Sequence, residues 1–229
     1  MSSSQNSRHY ISQIEQALTP LANAEKAIGM RAYLKDQFDF LGIAAPVRRA
    51  AIKALPKAAF TADELLDIAK KLWKKPQREY RYTAIDLLRQ HNKLLQLEHL
   101  TQLQQLALNK PWWETIDGLS VVIGNIIRRA REQDRNAQRI TDEWLHHDSF
   151  WQRRIAMLHQ LGWRLDTDSE RLFHYADTLA SENEFFIRKA IGWALRDYAR
   201  WNPQAVKRYV KRNEQQLSGL TVREALKHL

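Results

Sequence analysis

An indole and a carboxylate stand four residues apart at Trp113 and Asp117, in the segment Lys110-Pro111-Trp112-Trp113-Glu114-Thr115-Ile116-Asp117. Positions four apart on a helix share a face, so both side chains project into the same space. A cationic base is drawn to an indole face by ~0.5–2 kcal/mol. Breaking such a base from its sugar builds positive charge on the sugar. A fixed carboxylate stabilises that charge and can orient or deprotonate a water molecule. The base departs neutral, so one acid suffices where glycosidases use two. The same Asp117 also reads as a helix-surface acid, or as the ion-pair partner of an arginine from a neighbouring repeat such as Arg154.

The chain that must position this pair is strongly basic, with a net charge of +10 and a pI near 9.9. Such a surplus points to an acidic partner, nucleic acid first and an anionic membrane surface second. No apolar run reaches the ~18 residues of a membrane span. The polar start, Met1 to Arg8, lacks the apolar centre of a secretory signal and is expected to be a flexible tail over 1–8. Cysteine is absent, which excludes disulfides, thiolate metal sites and cysteine nucleophiles. A cytoplasmic protein is expected.

Apolar residues recur at helical spacing, as in Leu94, Leu97, Leu100, Leu103 and Leu106, or Ile123, Ile126, Ile127 and Ala130. Thr61-Ala62-Asp63-Glu64 has a capping-box pattern, and Pro46, Pro76, Pro111 and Pro203 suit first turns. No strand is evident. The reading is all-α, with twelve or thirteen helices of 10–18 residues in one domain over 9–229.

The helices repeat. Phe150-Trp151-Gln152-Arg153-Arg154-Ile155-Ala156 matches Phe185-Phe186-Ile187-Arg188-Lys189-Ala190-Ile191, 35 residues later. The same register runs through Arg49, Tyr82, Asp117, Arg154, Lys189 and Glu224, at gaps of 33, 35, 37, 35 and 35. A period of this size marks an α-solenoid of about six two-helix repeats, in which the repeated position lines a concave face. Arg49, Arg154 and Lys189 would then line that face as a basic groove tracking the phosphates of a duplex, with Arg153, Arg188, Arg128, Arg129 and Arg131 nearby. The plainer reading leaves about half of these cations solvating their own helices.

Trp193 lies four residues beyond Lys189 on the same face and is either a second aromatic wall of the groove or a core filler. Gly192 beside it suits close helix packing. Trp112, Trp151 and Trp163 fit apolar stripes and read as core. Trp73, Trp144 and Trp201 stand near helix ends without a clear signal. His146 and His147 are adjacent and cannot face one metal from a helix. No zinc-protease, P-loop, dinucleotide or serine-hydrolase motif occurs, and nothing around Lys189 marks it as a Schiff-base lysine.

At these residues the chain resembles the AlkD-type DNA alkylation repair family, a group of HEAT-like repeat DNA glycosylases. The matching pieces are residues 36–43, Arg78-Glu79-Tyr80-Arg81-Tyr82-Thr83-Ala84, the segment from Trp112 to Asp117, Trp151 to Ala156 and Glu184 to Ala199. Asn202-Pro203, Arg223-Glu224-Ala225 and His228 continue the match. Glu114 stands where that family often has Asp, off the Trp113–Asp117 face, and the chain lacks the short tail of some relatives.

The resemblance implies a HEAT-like fold and excision of cationic N3- and N7-alkylated purines from duplex DNA by hydrolysis, without drawing the base into a pocket. It implies that Trp113 and Trp193 contact the lesion nucleotide and that Asp117 stabilises the oxocarbenium and the incoming water. Arg154 would hold the phosphate beside the lesion. No metal, cofactor or obligate protein partner is expected, and the chain is expected to be monomeric. The alternatives are a non-catalytic HEAT-like binder of bent or branched DNA, which needs the groove but not Asp117, and a protein scaffold, against which the charge argues.

Overall fold

The computed structural model describes residues 3–229. Among them are thirteen α-helices, short 3₁₀ turns and no strand beyond an isolated bridge between Asp39 and Gln77. The all-α reading therefore stands. No helix among the described residues is long and apolar enough to cross a membrane.

The chain divides into two compact units, Met1–Leu95 and Gln96–Leu229, where the sequence suggested one domain. The first holds α1 (Ser3–Leu18), α2 (Ala24–Tyr33), α3 (Ala45–Lys53), α4 (Ala62–Trp73) and α5 (Arg78–Gln90). Here α1 packs on α4 and α3, and α5 packs on α4 and α3. The expected tail over 1–8 is corrected in part. Met1 and Ser2 lie outside the described residues, but α1 begins at Ser3 and the Ser7 side chain is buried. With Ile14 and Leu18 fully buried behind it, the helix gains more from packing than a polar start suggests.

The second unit holds α6 (Leu100–Leu108), α7 (Trp113–Ala130), α8 (Arg139–Trp144), α9 (Phe150–Leu158), α10 (Ser169–Leu179), α11 (Phe185–Ala199), α12 (Pro203–Arg212) and α13 (Gly219–Ala225). Alternate helices pack in series, α7 on α9, α9 on α11 and α11 on α13, each accompanied by the helix before it in sequence. Five helices, α3, α6, α8, α9 and α13, are shorter than ten residues, below the expected range. Short helices of this kind persist because neighbours bury their faces.

Local chemistry explains most boundaries. Thr61 caps α4 with the full capping box, its Oγ1 accepting from the Glu64 N–H at 3.2 Å while the Glu64 carboxylate accepts from the Thr61 N–H at 2.9 Å. Pro46 and Pro203 open α3 and α12, whereas Pro76 and Pro111 stand two residues ahead of α5 and α7. The Leu94–Leu106 stripe is not one helix. It begins as 3₁₀ turns at Asn92–Leu94 and Leu97–His99 before α6, which suits its strict spacing of three.

In the first unit, the loop over 36–43 is fastened to the start of α5. Buried Glu79 accepts hydrogen bonds from the backbone N–H groups of Leu41, Gly42 and Ile43 at 2.9, 2.8 and 3.1 Å. The Arg78 N–H donates to the Asp39 carbonyl at 2.8 Å, and its guanidinium lies 3.7 Å from the centre of the Phe38 ring. A carboxylate in a first helical turn is also favoured by the helix dipole. Replacing Glu79 by Ala strands three N–H groups at once. A loss of roughly 3 kcal/mol in urea unfolding is expected, with Glu79→Gln intermediate because it keeps one acceptor oxygen. A loss below about 1 kcal/mol would show that the loop is held by something else.

Candidate functional site

The repeated register becomes a structural position. Arg49, Tyr82, Asp117, Arg154 and Lys189 are each the fifth residue of their helix, and Glu224 is the sixth of α13. In the second unit these residues meet across adjacent helices. Arg154 Nε donates to Asp117 Oδ1 at 2.9 Å and its Nη2 donates to Oδ2 at 3.0 Å, a bidentate pair. Its remaining nitrogen, Nη1, donates to the Phe186 carbonyl at the start of α11. The Arg154 side chain is 2% exposed and that of Asp117 18%. One guanidinium thus ties α7, α9 and α11 together.

Burial pushes the Asp117 carboxyl above its ordinary range, against the pull of the Arg154 charge and its hydrogen bonds. The carboxylate nevertheless keeps one open side. Trp113, one helical turn earlier on α7, is half-buried, and α7 starts there without a side-chain cap.

Trp193 stands beside the same guanidinium. The Arg154 guanidinium lies 5.5 Å from its ring centre, Lys189 Nζ 5.4 Å and the Arg196 guanidinium 5.8 Å. Its indole N–H donates to Glu224 Oε2 at 3.0 Å. Glu224 also pairs with Lys189 at 2.7 Å and Arg196 at 2.8 Å, and Lys189 chiefly holds its carboxyl below the usual range. Asp117, Arg154, Trp193 and Lys189 are therefore brought together.

The other expected cations are not at this cluster. Arg153 forms a bidentate pair with Glu182 at 2.7 and 2.9 Å and donates to the carbonyls of His147 and Asp148. Arg188 donates to the Glu182 carbonyl and to Asn183. Arg49 belongs to the first unit, where it pairs with Asp86 at 3.0 Å. Every cation expected to track phosphates thus already has a partner within the protein. The sequence could not show this, because Glu182 and Asp86 are brought to Arg153 and Arg49 from 29 and 37 residues away by the packing of the helices.

Four tryptophans behave as core or near-core residues. Trp151 and Trp163 are buried, as expected, and so are Trp73 and Trp144. Trp112 is half-buried, with its ring 5.7 Å from Phe186 and 6.0 Å from Trp151, while Trp201 is exposed. Among the described residues no three His, Asp or Glu side chains converge as a metal site requires.

Sequence reasoning missed what allows the helices to come so close. Gly124 on α7 faces the His159 carbonyl at the end of α9, and a Cβ there would stand 1.7 Å from that oxygen. Gly192 on α11 faces Glu224, where a Cβ would meet the Glu224 Cβ at 2.4 Å. The packing expected of Gly192 is thus present. Gly124, seven residues beyond Asp117, gave no signal by itself.

A family model described as DNA alkylation repair enzyme matches residues 14–229. A solved structure described as a predicted DNA alkylation repair enzyme from Enterococcus faecalis is 33% identical, with a TM-score of 0.80 over 91% of this chain and 96% of that one. The crystal structure of AlkD2 from Streptococcus mutans shares the fold at 17% identity, with a TM-score of 0.63 over 97% of this chain and 99% of that one. Among curated proteins no sequence matches.

Because the His159 carbonyl is backbone, Gly124→Ala cannot be accommodated by a rotamer change. Overpacking at the upper end of its range, about 3 kcal/mol, outweighs the ~1 kcal/mol that Ala gains over Gly in a helix. Lower unfolding stability is expected in urea denaturation. A variant as stable as the parent would mean that α7 and α9 do not approach this closely.

Proposed function

Since the chain belongs to the DNA alkylation repair enzyme family, we propose that it is a glycosylase that removes cationic N3- and N7-alkylpurines from double-stranded DNA, with Asp117 as its catalytic carboxylate. The observation that carries this reading is the largely buried carboxylate of Asp117, held bidentately by Arg154, whose guanidinium in turn lies 5.5 Å from the ring centre of the half-buried Trp193. A carboxylate held by a bidentate guanidinium is already oriented, so little reorganisation accompanies the charge that develops on the sugar.

In the proposed reaction the C1′–N bond of the lesion breaks and its electron pair leaves with the base, which becomes neutral. Water adds its oxygen to C1′, and its proton passes to the Asp117 carboxylate or to solvent. No group on the protein need protonate the leaving base. Trp113 and Trp193 supply π faces that favour a cationic purine over a neutral one. Arg154 acts as a positioning residue for Asp117. A direct phosphate contact from Arg154 would require its Nη1 bond to the Phe186 carbonyl to be exchanged. Lys189, Arg188, Arg153 and Arg49 would meet phosphates only by sharing or exchanging their present carboxylate and carbonyl partners.

The test is release of base from a duplex bearing one 7-methylguanine, under single-turnover conditions with chelator present. Asp117→Asn, checked for folding and DNA binding, should slow release by roughly 100- to 1000-fold, the effect of deleting one preorganised electrostatic group. Unchanged release would remove Asp117 from the mechanism. Absence of release in a folded parent that still binds DNA would favour a structural DNA binder, in which the Asp117–Arg154 pair serves packing alone.

The pH dependence follows from burial. The active form is the ionised carboxylate, and burial raises its pKa. Release should therefore begin to fall, on acidification, at a pH above the ordinary aspartate value of about 3.9. The acid limb should vanish from the residual rate of Asp117→Asn, after subtraction of spontaneous depurination.

A further inference from the structure

The cluster around Asp117 leaves unused a large cavity in the first unit. It has a volume of about 610 Å³ and lies among α1, α3, α5 and the irregular segment that follows α3. This is within the ~300–1,000 Å³ typical of small-molecule sites. Two kinds of surface meet in it.

One wall is aromatic. Phe60 stands edge-on to His91, with ring centres 5.1 Å apart, and edge-on to Tyr10 at 5.0 Å. Burial holds the His91 ring below its ordinary pKa, so near neutral pH it is an uncharged aromatic surface. The remainder is cationic. Arg48, Arg49, Lys53 and Lys57 line the cavity against the single carboxylate of Asp86.

The two arginines differ in kind. Arg48 is buried, with its Nη2 on Asp86 at 2.6 Å, while its Nε is buried without a hydrogen-bond partner. Arg49 reaches the same carboxylate from a side chain that is 59% exposed. Asp86 can neutralise only one of them. Lys53 and Lys57 are exposed and add two more positive charges. An aromatic wall beside unbalanced guanidinium and ammonium groups is complementary to a planar base joined to a phosphate: rings favour edge or offset stacking, and arginine favours bidentate contact with phosphate oxygens.

We propose that this cavity binds one nucleotide unit, its base against Phe60 and His91 and its phosphate at Arg49 and Lys53. The same chemistry is offered by a free mononucleotide and by an unpaired nucleotide of a DNA strand. The proposal shares Arg49 with the proposed DNA contacts, where a phosphate would share or displace its Asp86 partner, but it does not depend on the catalytic reading, because no atom of the Asp117 cluster takes part.

The test uses the full chain and isothermal titration with dAMP, adenosine and inorganic phosphate, on the parent, Phe60→Leu and Lys53→Ala, with thermal unfolding as the check on folding. Binding of dAMP at least tenfold tighter than either adenosine or phosphate, and weakened at least threefold by each substitution, would establish the site for the free nucleotide. If dAMP fails to bind, the same variants are titrated with a duplex carrying a three-nucleotide unpaired loop and with the fully paired duplex. A preference for the looped duplex that Phe60→Leu abolishes would assign the site to a nucleotide in a strand. Phosphate binding as tight as dAMP and indifferent to Phe60→Leu would overturn the proposal, as would binding of neither probe. Asp117→Asn, which leaves the cavity untouched, should bind dAMP like the parent, and this separates failure here from failure of the catalytic reading.

Discussion

The second unit depends on one buried cation. Arg154 has five N–H donors and a full charge, so once withdrawn from water it must find acceptors on every side. It finds a carboxylate on α7 and a carbonyl at the start of α11. Desolvating an ion pair costs several kcal/mol before any attraction is counted, so such a pair is poor evidence for added stability. What it gives is geometry. The same three bonds that satisfy Arg154 fix the direction of the Asp117 oxygens and tie α7, α9 and α11 to one another.

That geometry requires close packing behind it. Gly124 lets α7 run against the end of α9, and Gly192 lets α11 run against α13. Without these approaches the fifth residues of adjacent helices would stand too far apart for direct ion pairs. The charge order along the register completes the arrangement. Asp117 is followed by Arg154, and Lys189 by Glu224, so each carboxylate faces a cation one repeat away. In the first unit Arg48 and Arg49 share Asp86, one turn after the register residue Tyr82, in the same style.

Much of this was legible. The periodicity placed the register residues correctly because a repeat constrains every helix at once, and Trp113, Asp117, Arg154 and Trp193 were singled out from spacing and chemistry. The internal partners of the basic face were not legible. Arg153 looks like a phosphate ligand in a list of charges, yet Glu182, 29 residues away, takes it bidentately. That pairing depends on which face of α9 meets the turn before α11, and a one-dimensional pattern does not encode it. The polar opening of α1 misled for a related reason: Ser7 is buried through tertiary packing, which hydropathy cannot report. Conversely, the Thr61 capping box was readable in full, because its partners lie within one helical turn.

The arrangement around Trp193 bears on selectivity. Arg154, Lys189 and Arg196 already lie within 6 Å of its ring centre. A cationic purine brought to this indole would be repelled by three positive charges if nothing balanced them. Asp117 and Glu224 offset two of these three charges, Asp117 on Arg154 and Glu224 between Lys189 and Arg196, and Glu224 also fixes the indole N–H. The cation–π attraction of the ring, on the order of 1 kcal/mol, can favour a charged base only after that compensation is in place. Glu224 is thus as necessary to the electrostatics of the proposed site as Asp117, although it touches no reacting atom. Under the proposed reaction, the two carboxylates would also let a chain of net charge +10 draw in DNA by its overall field and still receive a positively charged base. The long-range attraction is set by the sum of charges, whereas the local potential is set by the few that lie within a Debye length of about 8–10 Å.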